Sequence, residues 1–195
     1  VSGILFFTRN LIPHISNEKI HSSPGRLLLF AGASSFTLQA QGTMNTNKTA
    51  SSPLDEALSL TSEWDKVFPQ SDRVEHRKVT FHNHFGFTLA ADLYMPKGAT
   101  GKLPAIAVCG LFGGVKEQSS GLYAQTLAER GFITLAFDPS FTGESSGHPR
   151  DVFSLDINTE DFQASVDYLC NLDGVDPARV GILGICGWGC IALNA

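Results

Sequence analysis

The sequence predicts an α/β architecture in which an antiparallel hairpin precedes a mostly parallel sheet. Three observations carry this. Apolar runs at Leu103 to Cys109, Phe132 to Phe137 and Arg179 to Ile185 have the length and composition of strands buried on both faces. Segments with helical spacing separate these runs, as βαβ units with right-handed crossovers require. Two further runs ahead of them flank a short turn, which is the pattern of a hairpin.

Taken in order, the chain divides at its compositional shifts into residues 1–43, 44–72 and 73–195. Residues 1–43 read as a leader outside the domain. Within them, 26–40 resembles a signal segment, with Arg26, a broken apolar run and Ala40, but it lies deep in the chain and is too short to span a bilayer. Met44 offers an ordinary cytosolic start, so a cytoplasmic location is expected, with export as the alternative if 26–40 acts as a signal. Residues 53–66 predict a short helix with Leu54, Leu58 and Leu60 near one side, leading into a linker.

From Arg73 the rhythm sharpens. Val74 to Phe81 and Phe87 to Met95 read as strands joined through Asn83-His84-Phe85-Gly86. After Leu103 to Cys109 comes a Gly-rich loop, then a helix from about Ser119 to Arg130 closed by Gly131. Phe132 to Phe137 is the next strand, followed by a loop rich in Asp, Ser, Gly and Pro. Asn158 is read as the cap of a helix that sets Phe162, Val166 and Leu169 on one face. Asp176-Pro177 turns the chain into the last strand, and a helix begins after Gly187.

Composition narrows the function classes. The 195 residues carry a net charge of −5, so no broad electrostatic pull toward nucleic acid or an anionic membrane is expected. The basic knot His76-Arg77-Lys78 reads as a solvated strand start. Cys109, Cys170, Cys186 and Cys190 read as free thiols, and the Cys186/Cys190 spacing lacks a second ligand pair for zinc. Gly110-Leu111-Phe112-Gly113-Gly114 matches neither nucleotide-binding fingerprint, and no cofactor is expected.

The informative stretch is Gly181-Ile182-Leu183-Gly184-Ile185-Cys186-Gly187-Trp188-Gly189, where a buried strand meets a helix. A nucleophile on such a turn stands clear of the sheet, a helix N-terminus favours the attacking thiolate, and free backbone N–H groups are available to an oxyanion. The stretch resembles the nucleophile elbow of α/β-hydrolases with Cys in place of Ser, as in the dienelactone-hydrolase-like branch. Three further segments are similar in order and spacing: Cys109 to Gly114, Asp138 to Gly147, and Asp173 to Val180. Trp188 departs from the pattern, which has Gly at that position, and its side chain has to turn away from the strand–helix contact.

The resemblance implies an α/β-hydrolase fold. It makes Cys186 the nucleophile, the N–H of Gly187 one oxyanion donor and the N–H of Leu111 or Phe112 the other. Glu117 is a candidate for a supporting position near the site. The implied activity is hydrolysis of a small carboxylic ester or lactone through an acyl-cysteine. The family's Asp and His follow the nucleophile, yet none of the nine residues after Cys186 is Asp, Glu or His. The chain therefore reads as the N-terminal part of such a domain, cut after the elbow and without efficient turnover. The alternative is an inactive fragment or pseudoenzyme with a binding role only. Such a fragment is expected to self-associate through the open sheet edge at the last strand.

Overall fold

A computed structural model describes the backbone of residues 4–8 and all of residues 57–195. Segment 26–40, Met44 and Leu54 lie outside the described residues. The elements are β1 (Ile4–Thr8), β2 (Val74–His82), β3 (Thr88–Pro96), β4 (Leu103–Cys109), α1 (Ser119–Ala128), β5 (Ile133–Phe137), α2 (Leu155–Cys170), β6 (Val175–Ile185) and α3 (Trp188–Asn194). They build one six-stranded sheet in the order β1-β6-β4-β5-β3-β2. β4 runs parallel to both β5 and β6, while β3 joins β5 antiparallel and carries β2 as a hairpin.

Alternation along the central strands divides the core. Ala105, Ala107 and Cys109 face one side with Phe162 and Leu169 of α2 and Ile191 of α3. Ile106 and Val108 face the other with Ala124 and Ala128 of α1. The apolar runs are continuous because both faces are covered. Small residues on α1 let that helix lie close to the sheet. Gly121 marks the tightest point, since a Cβ there would come within 2.5 Å of the Lys116 carbonyl.

Four expectations require correction. Residues 57–66 form no helix: the segment runs irregularly across the protein, held by side chains rather than by its own turns. The Trp64 indole donates to the Phe68 carbonyl at 2.8 Å, and Lys66 pairs with buried Asp92 at 3.0 Å. Helix α2 begins before Asn158. Ser154 is the cap, accepting from the Ile157 N–H, and Asn158 reaches back to accept from the Ser154 N–H at 3.0 Å. Asp176 and Pro177 fall inside β6, which pairs Val175 with Leu103 and then shifts register before Val180 meets Ala105.

The fourth correction concerns the sheet edge. β6 does not end the sheet, because Ile4–Thr8 pairs antiparallel along Gly181 to Ile185. Ile-Leu-Phe-Phe-Thr is rich in strand-forming residues, and the pairing satisfies backbone groups that an open edge leaves exposed. The premise for self-association through that edge is therefore removed, and residues 4–8 belong to the sheet rather than to a detached leader.

A charge network ties the segment around residue 65 to the loops above the sheet. Lys78 contacts Asp65 at 2.8 Å and Glu144 at 2.7 Å, and Lys116 contacts Glu144 at 2.6 Å. Burial alone would raise both carboxyls. Hydrogen bonds from Lys66 and Lys78 instead hold Asp65 at about 2, and those from Lys116 and Lys78 hold Glu144 at about 2. Their ordinary values are 3.8 and 4.5. Groups depressed on folding stabilise the protein above their unfolded pKa and lose that contribution as pH falls through the folded one. Stability from these two groups is thus expected to be complete above pH 4.5 and to fall toward about 2. Urea midpoints measured across that range would show it, and Glu144→Gln should flatten the slope.

Candidate functional site

β6 delivers the chain to a turn at Cys186, whose φ is +59°. A residue other than Gly in this left-handed conformation is uncommon and clusters at functional turns. The turn leaves the Cys186 side chain exposed while Ile185 behind it is buried. Gly189 donates to the Cys186 carbonyl at 3.1 Å and Cys190 to the Gly187 carbonyl at 3.3 Å. These bonds lead the chain into α3, which begins at Trp188 after Gly187 as its N-cap.

Glycines make the turn sterically feasible. A Cβ on Gly184 would lie 2.4 Å from the Trp188 carbonyl oxygen and 2.8 Å from the Gly189 Cα, so strand and helix touch backbone to backbone there. Gly184→Ala is expected to cost about 1–3 kcal/mol, because rigid backbone and not a flexible side chain must yield. Chemical denaturation against the parent chain checks this; an unchanged midpoint would mean the contact is looser than described.

The loop after β4 closes against the elbow. Gly110, at φ +143°, packs so tightly on Ile185 that a Cβ would lie 2.5 Å from its carbonyl oxygen. The Ser120 hydroxyl donates to the Gly110 carbonyl and tethers the loop to α1. Phe112 lays its ring over Gly187, where a Cβ would come within 2.4 Å of it. Leu111 and Phe112 are exposed, and the Phe112 ring lying on Gly187 places the β4 loop against the residue that follows Cys186.

The Trp188 side chain does turn away from the strand–helix contact. It is buried, stacks on Phe112 at 5.1 Å and lies 6.4 Å from Phe162 of α2. Phe112 and Phe153 meet edge to face at 5.0 Å. The resulting open cleft runs from the β4 loop to the loop before α2. Phe153 was not singled out in the sequence, where it sits in an irregular stretch with no periodicity to mark it.

Glu117 is not at the elbow. Its carboxylate turns to Lys116 at 2.5 Å and Lys78 at 3.5 Å, within the charge network. Asp65, Glu117 and Glu144 converge closely enough to hold a cation, but the Lys78 ammonium already contacts all three. The network's buried anchor is Asp138, at the end of β5. It accepts from the Lys116 backbone N–H and the Lys116 Nζ, both at 2.8 Å. Burial by itself would lower the Lys116 ammonium, but the Asp138 charge outweighs it and raises it well above the ordinary lysine value. The Ser145 and Ser146 hydroxyls accept from Ala90 and Thr88 N–H groups of β3, and Arg150 ties down the carbonyls of Gly143 and Ser145. The Asp/Ser/Gly loop is thereby fixed beside the β4 loop.

This combination of a left-handed residue after a central strand and a close-packed preceding loop agrees with sequence comparison. The dienelactone hydrolase family model matches residues 89–195. The chain belongs to the dienelactone hydrolase family. It is 68% identical over 139 residues to the uncharacterized protein PA2218 of Pseudomonas aeruginosa, covering 71% of this chain and 38% of that protein. The crystal structure of PA2218 superposes with a TM-score of 0.71 at 66% identity, over 72% of this chain and 44% of that one. The α/β-hydrolase GrgF from Penicillium sp. sh18 aligns with a TM-score of 0.56 at 26% identity, over 62% of this chain and 41% of that one. Thiohydrolase aneE of Aspergillus aculeatus is 32% identical over 120 residues, 62% of this chain and 37% of the relative. The α/β-hydrolase fold read from the elbow is thus the fold of this family member. The chain spans about two fifths of the length of these curated relatives.

Proposed function

We propose that the protein carrying this chain is a carboxylic ester, lactone or thioester hydrolase that works through an acyl-cysteine at Cys186. The observation that carries this is the exposed Cys186 thiol at φ +59° on a turn flanked by Gly184 and Gly187. Such a turn presents the sulfur to a carbonyl above the sheet. The Gly187 N–H, with that of Leu111 or Phe112, receives the charge that develops on the carbonyl oxygen. The likeness to a thiohydrolase supports acyl transfer as the reaction class. Deacylation needs a base, and none of residues 187–195 is Asp, Glu or His.

Thiol mapping tests the nucleophile. Limiting iodoacetamide should label Cys186 first and Cys109 last. Cys109 is buried, and burial pushes its thiol well above the ordinary value. Cys190 is also exposed and serves as the internal reference for simple accessibility. Cys190 reacting ahead of Cys186 would count against an activated elbow thiol.

A further inference from the structure

The walls of the cleft beside the elbow are largely apolar, with Thr142, Asp151 and Asn158 the polar side chains among them. Phe112 and Phe153 are each 48% exposed, and the apolar side chains of Leu111 and Val152 extend the same surface. Trp188 forms its base, stacked on Phe112 with 19° between the ring planes. Among the described residues lining the cleft, the one charged side chain is Asp151, an acid. The cleft adjoins the reacting centre, because the Phe112 ring that walls it also lies over Gly187.

We infer that this cleft seats the acyl part of the substrate and selects for an uncharged, apolar acyl group. The inference rests on Cys186 as the acyl acceptor. An apolar group entering the cleft leaves water for an aromatic surface. A carboxylate-bearing acyl group would lose hydration there, gain no cation and meet the charge of Asp151. Trp188, standing where the elbow pattern has Gly, supplies the base against which the acyl group packs.

The test uses the 195-residue chain and two esters with one leaving group, p-nitrophenyl butyrate and p-nitrophenyl hemisuccinate. In each reaction the Cys186 thiolate attacks the ester carbonyl and forms the carbon–sulfur bond. The carbon–oxygen bond breaks, and p-nitrophenolate leaves with the electron pair. Tandem mass spectrometry follows acylation of Cys186, with rates corrected for the reactivity of each ester toward N-acetylcysteine. The corrected butyrate rate should exceed the hemisuccinate rate about tenfold, the penalty of burying an unpaired carboxylate being the cause. Phe153→Ala should cut the butyrate rate roughly tenfold by removing one wall. Val152→Lys should shift the ratio roughly tenfold toward hemisuccinate by supplying the absent cation. Both positions are exposed, so neither variant endangers the fold. Equal corrected rates for the two esters, unmoved by Val152→Lys, would overturn the subsite while leaving Cys186 as acceptor. An absence of adduct at Cys186 with either ester would overturn the nucleophile and the subsite with it.

Discussion

Mixed with p-nitrophenyl acetate, this chain should release about one equivalent of p-nitrophenolate and then stop, leaving an acetyl group on Cys186. The first half of the reaction needs only a thiolate and donors for the developing oxyanion, the roles proposed above for Cys186 and the Gly187 N–H. The second half needs a base to activate water against the thioester, and in the family's chain order that base follows the nucleophile. After Cys186 the chain offers Gly, Trp, Gly, Cys, Ile, Ala, Leu, Asn and Ala, none of which can do this. Two of the earlier histidines have other partners, His76 with Asp92 at 2.7 Å and His84 with Glu160. Intact-mass spectrometry should show a persistent acetyl adduct that Cys186→Ala removes. Cys186→Ser should acylate far more slowly, since a hydroxyl without a base is a weak nucleophile. Sustained turnover abolished by Cys186→Ala would show instead that a base is present among these residues.

The second large effect concerns stability. Lys116→Met should cost about 3–5 kcal/mol, the usual result of removing one partner from a buried ion pair. Asp138 has no exposed surface, and losing the ammonium leaves its charge with backbone N–H donors alone. Against a total of about 5–15 kcal/mol for an ordinary domain, that is a large share. The Lys116→Met/Asp138→Asn double variant should recover part of the loss, because the stranded charge is then absent. Urea unfolding of the four proteins in a double-mutant cycle measures the coupling. A single-variant loss below about 1 kcal/mol would show that water or loop movement compensates the charge. The pair also links the β4 loop to the Asp/Ser/Gly loop, so Lys116→Met should slow acylation of Cys186 even where the chain stays folded.

Most of the sheet was legible because burial on two faces leaves an unmistakable run. Leu103–Cys109 emerges at the residues read from sequence, and the hairpin strands differ by a residue at their ends. The elbow was legible because Gly184 and Gly187 are demanded by contacts under 3 Å, and such contacts leave their mark locally in sequence. What escaped was set by side chains distant in sequence. Residues 53–66 carry Leu54 and Leu58 four apart, a helical interval, yet the Lys66–Asp92 and Trp64–Phe68 anchors decide the path of residues 57–66. Asn158 looked like a cap because it precedes the periodic face, but Ser154 stands one turn earlier and Asn158 completes the same cap from inside. Glu117 seemed close to the site by sequence, and the Lys116 and Lys78 charges draw it elsewhere. Nothing local could reveal that residues 4–8 would lie on β6.

The backbone conformation of Cys186 narrows which residues can stand at that position. At φ +59° a β-branched side chain clashes with its own main chain, so Thr is excluded although it carries a usable hydroxyl. Ser and Cys are the small nucleophiles that remain. Gly would fit with less strain than either, by about 1 kcal/mol, but brings no reactive atom. The position is therefore one where the residue that best suits the backbone, Gly, carries no reactive atom, and the thiol of Cys186 is held there at a conformational cost that Gly would avoid.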